Sequence, residues 1–165
     1  MGKRTFVISD THFSHRLMVS LRGFSTQEEM DECMVSHWNS VVKEGDRVYH
    51  LGDFCLSRSA LGIAARLNGN IVLIKGNHDI FKLKDYAMYF DDLRAYKYLT
   101  HHKIILSHIP IHPGQLENRW NFNIHGHIHE HSLEDKRYVN VCVEKTQYKP
   151  ILLDEIIERT KQIAI

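Results

Sequence analysis

Short apolar runs and amphipathic stretches take turns along the chain. Arg4–Ser9 (RTFVIS), Arg47–Leu51 (RVYHL), Ile71–Lys75 (IVLIK), Lys103–Ser107 (KIILS) and Arg137–Val143 (RYVNVCV) are short, rich in β-branched residues and bounded by turn residues, which predicts strands. Between the first two lies a predicted helix. Thr26 followed by Glu29 reads as a capping box, and Met30, Cys33, Met34, Trp38 and Val41 recur at helical spacing until Gly45 stops the run. That stripe is assigned to the core. A second helix is expected over Ala60–Leu67, closed by the Asn68-Gly69 turn, another within Ile80–Phe90, and a terminal one from Asp154 with a solvated charged face. Strand and helix alternation predicts an α/β layered fold, and 165 residues with 43% hydrophobic content fit one domain spanning 1–165.

Composition narrows the partners. Lys and Arg number 21 against 20 Asp and Glu, so no global field draws the chain to duplex nucleic acid or an anionic membrane. Cys33, Cys55 and Cys142 form no CxxC pair, and an odd number without a signal-peptide pattern favours a reducing compartment, the cytoplasm. No apolar run approaches the ~18 residues that cross a bilayer. The unusual feature is histidine: 13 in all, four of them at alternate positions from His125 to His131 in NIHGHIHEH. A metal-binding strand face, a pH-sensitive surface and chance all accommodate that run.

The residues beyond each predicted strand decide between these readings. RTFVIS leads into Asp10-Thr11-His12, RVYHL into Gly52-Asp53, IVLIK into Gly76-Asn77-His78-Asp79, KIILS into His108, and the region after Phe122 into the histidine run. In open α/β sheets ligands bind beyond the carboxyl ends of the strands, so these side chains are expected to converge. Carboxylates mixed with imidazoles suit Mn²⁺, Fe²⁺, Co²⁺, Ni²⁺ or Zn²⁺ better than Ca²⁺ or Mg²⁺. Asp10, His12, Asp53, Asn77, His108 and two histidines of the run are too many ligands for one tetrahedral ion and suffice for two ions that share a carboxylate. Taken singly, each motif reads equally well as a turn; five in a row, each presenting a ligand, do not.

The ordered set DTH, GD, GNHD, SH and GHIH resembles the five motifs of the calcineurin-like metallophosphoesterases, closest to short bacterial and phage members with DTHFSH and YHLGDF, and it spans Asp10 to His129. The resemblance implies a four-layer αββα sandwich with a dinuclear metal site at the strand carboxyl ends. It implies Asp10, His12 and His129 on one ion, Asn77, His108 and His127 on the other, and Asp53 bridging; the cofactor would be two divalent ions, Mn²⁺ first and Fe, Zn, Ni or Co as alternatives. Period-two spacing places His127 and His129 on one strand face, leaving His125 and His131 to support ligands or face solvent. Two ions about 3.5–4 Å apart would bind a bridging hydroxide that attacks a phosphoryl group. His78 would protonate the leaving oxygen, with Asp79 either orienting that imidazole or capping the next helix. His15 and Arg58 are weaker candidates for touching the substrate phosphate.

The phosphoprotein-phosphatase form GDxVDRG is absent, because Gly52-Asp53-Phe54-Cys55-Leu56 lacks the second aspartate. Short segments between motifs leave the expected site open. The favoured activity is phosphodiester hydrolysis on a small or nucleotide-type substrate, with phosphomonoester hydrolysis as the alternative; long duplex DNA is disfavoured by the balanced charge. A reading of another class is a non-catalytic protein-binding scaffold such as the retromer subunit of this fold, which lacks the catalytic histidine that His78 supplies here.

Overall fold

The computed structural model describes residues 2–117 and 119–163. Its first sheet contains β1 (Thr5–Ile8), β2 (Arg47–His50), β3 (Asn70–Ile74), β4 (Asp92–Arg94) and β9 (Ile151–Leu152); its second contains β5 (Tyr96–Leu99), β6 (Ile104–Ser107), β7 (Phe122–His125) and β8 (Tyr138–Asn140). The helices are α1 (Arg16–Leu21), α2 (Gln27–Val41), α3 (Leu83–Tyr86) and α4 (Leu153–Ile163). The first sheet runs β4-β3-β2-β1-β9 with β1 to β4 parallel and β9 antiparallel to β1. The second runs β5-β6-β7-β8, with β5 antiparallel to β6 and the others parallel. Among the described residues no helix is long and apolar enough to cross a membrane.

Alternation along the strands makes the layers. Phe6, Ile8, Val48, Ile71 and Leu73 face α1 and α2, packing on Met30, Met34 and Trp38. Val7, Tyr49, Val72 and Ile74 face the other way, onto Ile104, Leu106, Phe122 and Ile124 of the second sheet, with Leu153, Ile156 and Ile157 of α4 closing the edge. On the second sheet's outer face, Ile105 is covered by Leu116 and by Trp120, whose ring stacks on Tyr98 at 4.2 Å. The expected α/β sandwich of two sheets with helices is present.

Several elements depart from the sequence expectation. Ala60–Leu67 is not an α-helix but a 3-10 helix over Ser59–Arg66; Gly62 at its centre weakens the wider helix, and Ala60, Leu61 and Ala64 still reach the core. RYVNVCV ends as a strand at Asn140. There the chain leaves the second sheet and bonds the first: the Val141 amide donates to His125 O, while Val141 O and the Val143 amide bond Ser9. At α2, Thr26 Oγ1 accepts from the Glu29 amide as expected, but the Glu29 carboxylate accepts from Ser25 rather than from Thr26. α1, β4, β5 and β9 are not legible in the sequence, being six residues or fewer each.

One buried histidine links β2 to the loops beyond it. Gly52 donates its amide to His50 Nδ1, and His50 Nε2 lies 3.0 Å from Thr11 Oγ1, which itself donates to Phe54 O. Burial pushes the His50 imidazole from 6.5 down to about 3, so it is neutral in the fold, while the unfolded chain takes up a proton near 6.5. The folded state then binds fewer protons between those values, and stability is lost as the pH falls through that window. Denaturant unfolding of wild type and His50→Asn at pH 7 and pH 4.5 should show the variant losing about 3 kcal/mol less on acidification. Equal losses would mean His50 is not the proton acceptor on unfolding.

Candidate metal centre

β1, β2 and β3 are parallel, as are β6 and β7, and the two sheets face each other, so their carboxyl ends open at one end of the sandwich. Asp10 and His12 follow β1, Asp53 follows β2, Asn77 follows β3, His108 follows β6, and His127 and His129 follow β7. Their ligand atoms fall into two groups, Asp10 with His12 and His129, and Asp53 with His108 and His127. Asn77 Oδ1 joins the second group, 2.8 Å from His108 Nε2.

Bringing these loops together strains them. Asp10, His12, Asp53, His127 and His129 all have left-handed backbone, with φ of 59°, 49°, 56°, 71° and 48°. Each costs about 1 kcal/mol or more against an ordinary conformation. The two histidines therefore reach the site from a tight loop, not from one face of a strand: β7 stops at His125, and the period-two argument does not describe the run. His125 is buried, its Nδ1 donating to Gly126 O, and His131 is 78% exposed beside Glu130. Close approach explains two glycines. A Cβ on Gly76 would collide with Asp53 Oδ1 and its amide, and one on Gly126 would collide with Ser9 Oγ and Asp10 Oδ2.

The polar atoms fit a cation. Asp10 Oδ1 and both His12 nitrogens are buried without hydrogen-bond partners. His12 Nε2 lies 3.7 Å from Asp10 Oδ1 and 3.6 Å from Asp53 Oδ2, while His108 Nε2 lies 3.5 Å from the same Asp53 oxygen. Such spacings are long for hydrogen bonds, whereas ligands of one ion lie about 3–3.5 Å apart. Asp53 Oδ2 thus stands between the two groups. The other Asp10 oxygen is saturated by Ser9 Oγ, the His127 amide at 2.9 Å and Cys142 Sγ at 3.2 Å. Burial acts to raise the Asp10 pKa, but the neighbouring His12, His108 and these donors hold the carboxyl well below its usual range.

The imidazoles are aimed by partners that the sequence does not reveal. Leu51 O accepts from His108 Nδ1 at 2.8 Å, which turns Nε2 toward Asn77 Oδ1 and the site. Glu144 accepts from His129 Nδ1 at 3.0 Å, which raises the His129 pKa, and is held in turn by Arg22 at 2.8 Å. Arg22 also donates to Thr11 O and Asp10 O, and Asn140 Nδ2 donates to His129 O and His131 O. Asp31 accepts from the Ser14 amide and hydroxyl, tying the Asp10–His15 loop to α2. Charged residues inside or next to apolar patterns, Asp31 beside Met30 and Glu144 after Val143, are the sequence signal for such roles.

The weaker site residues divide. His78 is exposed at the rim with its ring 5.4 Å from that of His12, and His15 stands 5.3 Å from His12 with its pKa lowered by burial and the surrounding imidazoles. Arg58 is not placed on substrate: its guanidinium pairs with Asp85 at 3.1 Å and lies over Phe81. Asp79 neither orients the His78 ring nor caps α3. Its oxygens accept from the amides of Gly76 and Asp53, at 2.8 Å each, and of Phe54 at 3.1 Å, clasping the loop after β2 to the loop after β3; α3 is capped from Lys82.

Fold and site together define an α/β two-sheet protein with a divalent metal centre at its strand ends. The family model for the calcineurin-like phosphoesterase superfamily domain matches residues 4–144, and the chain belongs to that superfamily. It is 35% identical over 169 residues to an uncharacterized protein of Methanocaldococcus jannaschii, covering 94% of this chain and 90% of the relative. The gene 66 protein of Mycobacterium phage L5 is 35% identical over 81 residues, 46% of this chain and 39% of that protein. Among solved structures, an Aquifex aeolicus protein of unknown function superposes with a TM-score of 0.78 at 28% identity, over 95% of this chain and 99% of that one.

Removing the Asp79 clasp orphans three backbone donors. Asp79→Ala should lower stability by about 3 kcal/mol, read by denaturant unfolding, with hydrogen exchange accelerated at the amides of Asp53, Phe54 and Gly76. Unchanged protection at those amides would remove the clasp from the account.

Proposed function

We propose that the chain is a metal-dependent phosphodiesterase acting on small or nucleotide-type phosphodiesters in the cytoplasm. The observation that carries this reading is Asp53 Oδ2, which lies 3.6 Å from His12 Nε2 and 3.5 Å from His108 Nε2 and so joins two ligand groups into one centre. Asp10, His12 and His129 would hold one ion and Asn77, His108 and His127 the other, with Asp53 placed between them. Nitrogen and oxygen donors without thiolate suit Mn²⁺ first, with Fe, Zn, Ni and Co as competitors. Two such ions supply Lewis-acid charge at the phosphoryl group and activate water for in-line attack.

The remaining steps belong to side chains. His78, at the rim and adjacent to Asn77, donates a proton to the leaving oxygen. His15, its ring 6.4 Å from that of His78 on the same rim, would meet a phosphoryl oxygen. The diester is favoured over the monoester because Arg22 and Arg58 are both engaged by carboxylates, Glu144 and Asp85, and so do not answer the second charge of a monoester. The free state of all three cysteines agrees with a reducing compartment.

Hydrolysis of bis(p-nitrophenyl) phosphate beside p-nitrophenyl phosphate, by Mn²⁺-loaded protein, tests the assignment. Turnover of the diester should need metal and fall about a hundredfold or more in His78→Ala. Preference for the monoester would transfer the reading to a phosphomonoesterase. No turnover of either ester by protein carrying two ions would favour the binding scaffold.

A further inference from the structure

A cleft of about 540 Å³ shares two residues with the metal centre, His127 and His129, and is lined as well by Met18 and Leu21 of α1. Ile128, set between the two histidines, and Tyr148 complete its apolar walls. Leu21 is 70% exposed and so offers its apolar surface to a ligand in the cleft. Tyr148 is held there at some cost. It and Gln147 both have left-handed backbone, φ 60° and 55°, and its ring meets Phe24 edge-on at 5.4 Å.

The charged groups along this cleft pair with one another and leave no unengaged arginine or lysine for a second anion. Arg22 lines it, but its side chain is 1% exposed and its donors are occupied by Glu144, Thr11 O and Asp10 O. Glu144 is bound to Arg22 and His129, Glu130 is exposed, and His131 pairs with Glu130 at 3.6 Å. The surface left for a ligand is apolar and adjoins the centre that would hold its phosphate. A cleft of this size accommodates an aromatic ring with room to spare.

We propose that this cleft is the specificity subsite of the enzyme and receives an uncharged, ring-bearing ester group, aryl or nucleobase, of the phosphodiester. The inference rests on the phosphodiesterase reading above and adds to it which substituent the site selects. A phosphoanhydride tail carrying further charges is excluded from this side, since it would meet Glu130 and find Arg22 already neutralised. The ring packs against Leu21 and Tyr148 while its phosphate faces His127 and His129.

The test is equilibrium binding, by calorimetry, of diphenyl phosphate and dimethyl phosphate to Mn²⁺-loaded wild type, Leu21→Ala and Leu21→Glu. Because Leu21 is mostly exposed, neither change disturbs the core. Wild type should bind the diphenyl ester about tenfold or more tightly than the dimethyl ester. Leu21→Ala should weaken the diphenyl ester about threefold and Leu21→Glu further, with the dimethyl ester unchanged in both. Equal binding of both esters to wild type would overturn the subsite and leave the metal centre standing. A shift in oligomeric state in Leu21→Glu with ester affinities unchanged would assign the face to a second copy of the chain, and likewise overturn it. Binding of neither ester by protein that holds two ions would overturn both readings.

Discussion

Buried polar atoms that face one another beyond hydrogen-bond distance at the strand ends constrain this structure more than any other interaction. Asp10 Oδ1, His12 Nε2 and Asp53 Oδ2 converge within 3.7 Å, and His108 Nε2 approaches the same Asp53 oxygen from the far side. Acceptors brought so close in a region of low dielectric repel one another unless a positive charge enters. The loops at the site have left-handed backbone at Asp10, His12, Asp53, His127 and His129, and glycine is required at the two places where one loop touches another's carboxylate. A cation is the group that turns this collection from a liability into a bonded centre, so the strain and the function have the same origin.

Support for the strained loops comes from polar groups that never face the centre. Asp79 clasps the loop after β2 to the loop after β3, Asp31 reaches from α2 to the loop after β1, and Asn140 ties down the histidine loop from β8. Arg22 bonds two carbonyls of the β1 loop and the carboxylate behind His129 at once. These hydrogen-bonded networks are of the kind that fix one conformation, and each joins a different pair of elements. The two hydrophobic layers position the strands; the networks position the loops beyond them.

The strands of the sandwich and the ligands are legible in the sequence for different reasons. β1, β2, β3 and β6 announce themselves as apolar β-branched runs because both faces of each are buried, and α2 because its apolar stripe is long enough to show helical spacing. α1, β4 and β9 are too short for any period, and they exist because neighbouring layers offer a surface. The seven ligands can be picked out because they stand just beyond those runs in the order DTH, GD, GNHD, SH, GHIH. Asp79 belongs to one of those motifs, yet its position misleads: adjacency to His78 suggests a partner, but a carboxylate between two loops meets three amides first. Arg22 and Asn140 are invisible because sequence distance hides their partners, and Glu144 is marked only as a charge directly after an apolar run. Arg22 and Glu144 are 122 positions apart and meet only after both sheets have formed.

A division of labour results within Asp10, Asp53, His108 and His129. Asp10 gives one oxygen to three donors and leaves the other bare; Asp53 gives Oδ1 to the His78 amide and turns Oδ2 inward. His108 and His129 each anchor Nδ1, on Leu51 O and on Glu144, and present Nε2. One half of the side chain is fixed by the fold so that the other half can be aimed without searching, which lowers the ordering cost of binding. His12 breaks the rule. Neither of its nitrogens has a partner, and its ring is held only by stacking on His129 at 5.2 Å and by the edges of His15 and His78. Its orientation therefore depends on contacts with the imidazoles of His129, His15 and His78. Among the described ligands, His12 is the one through which a change at the rim, where His15 and His78 stand, reaches the metal centre most directly.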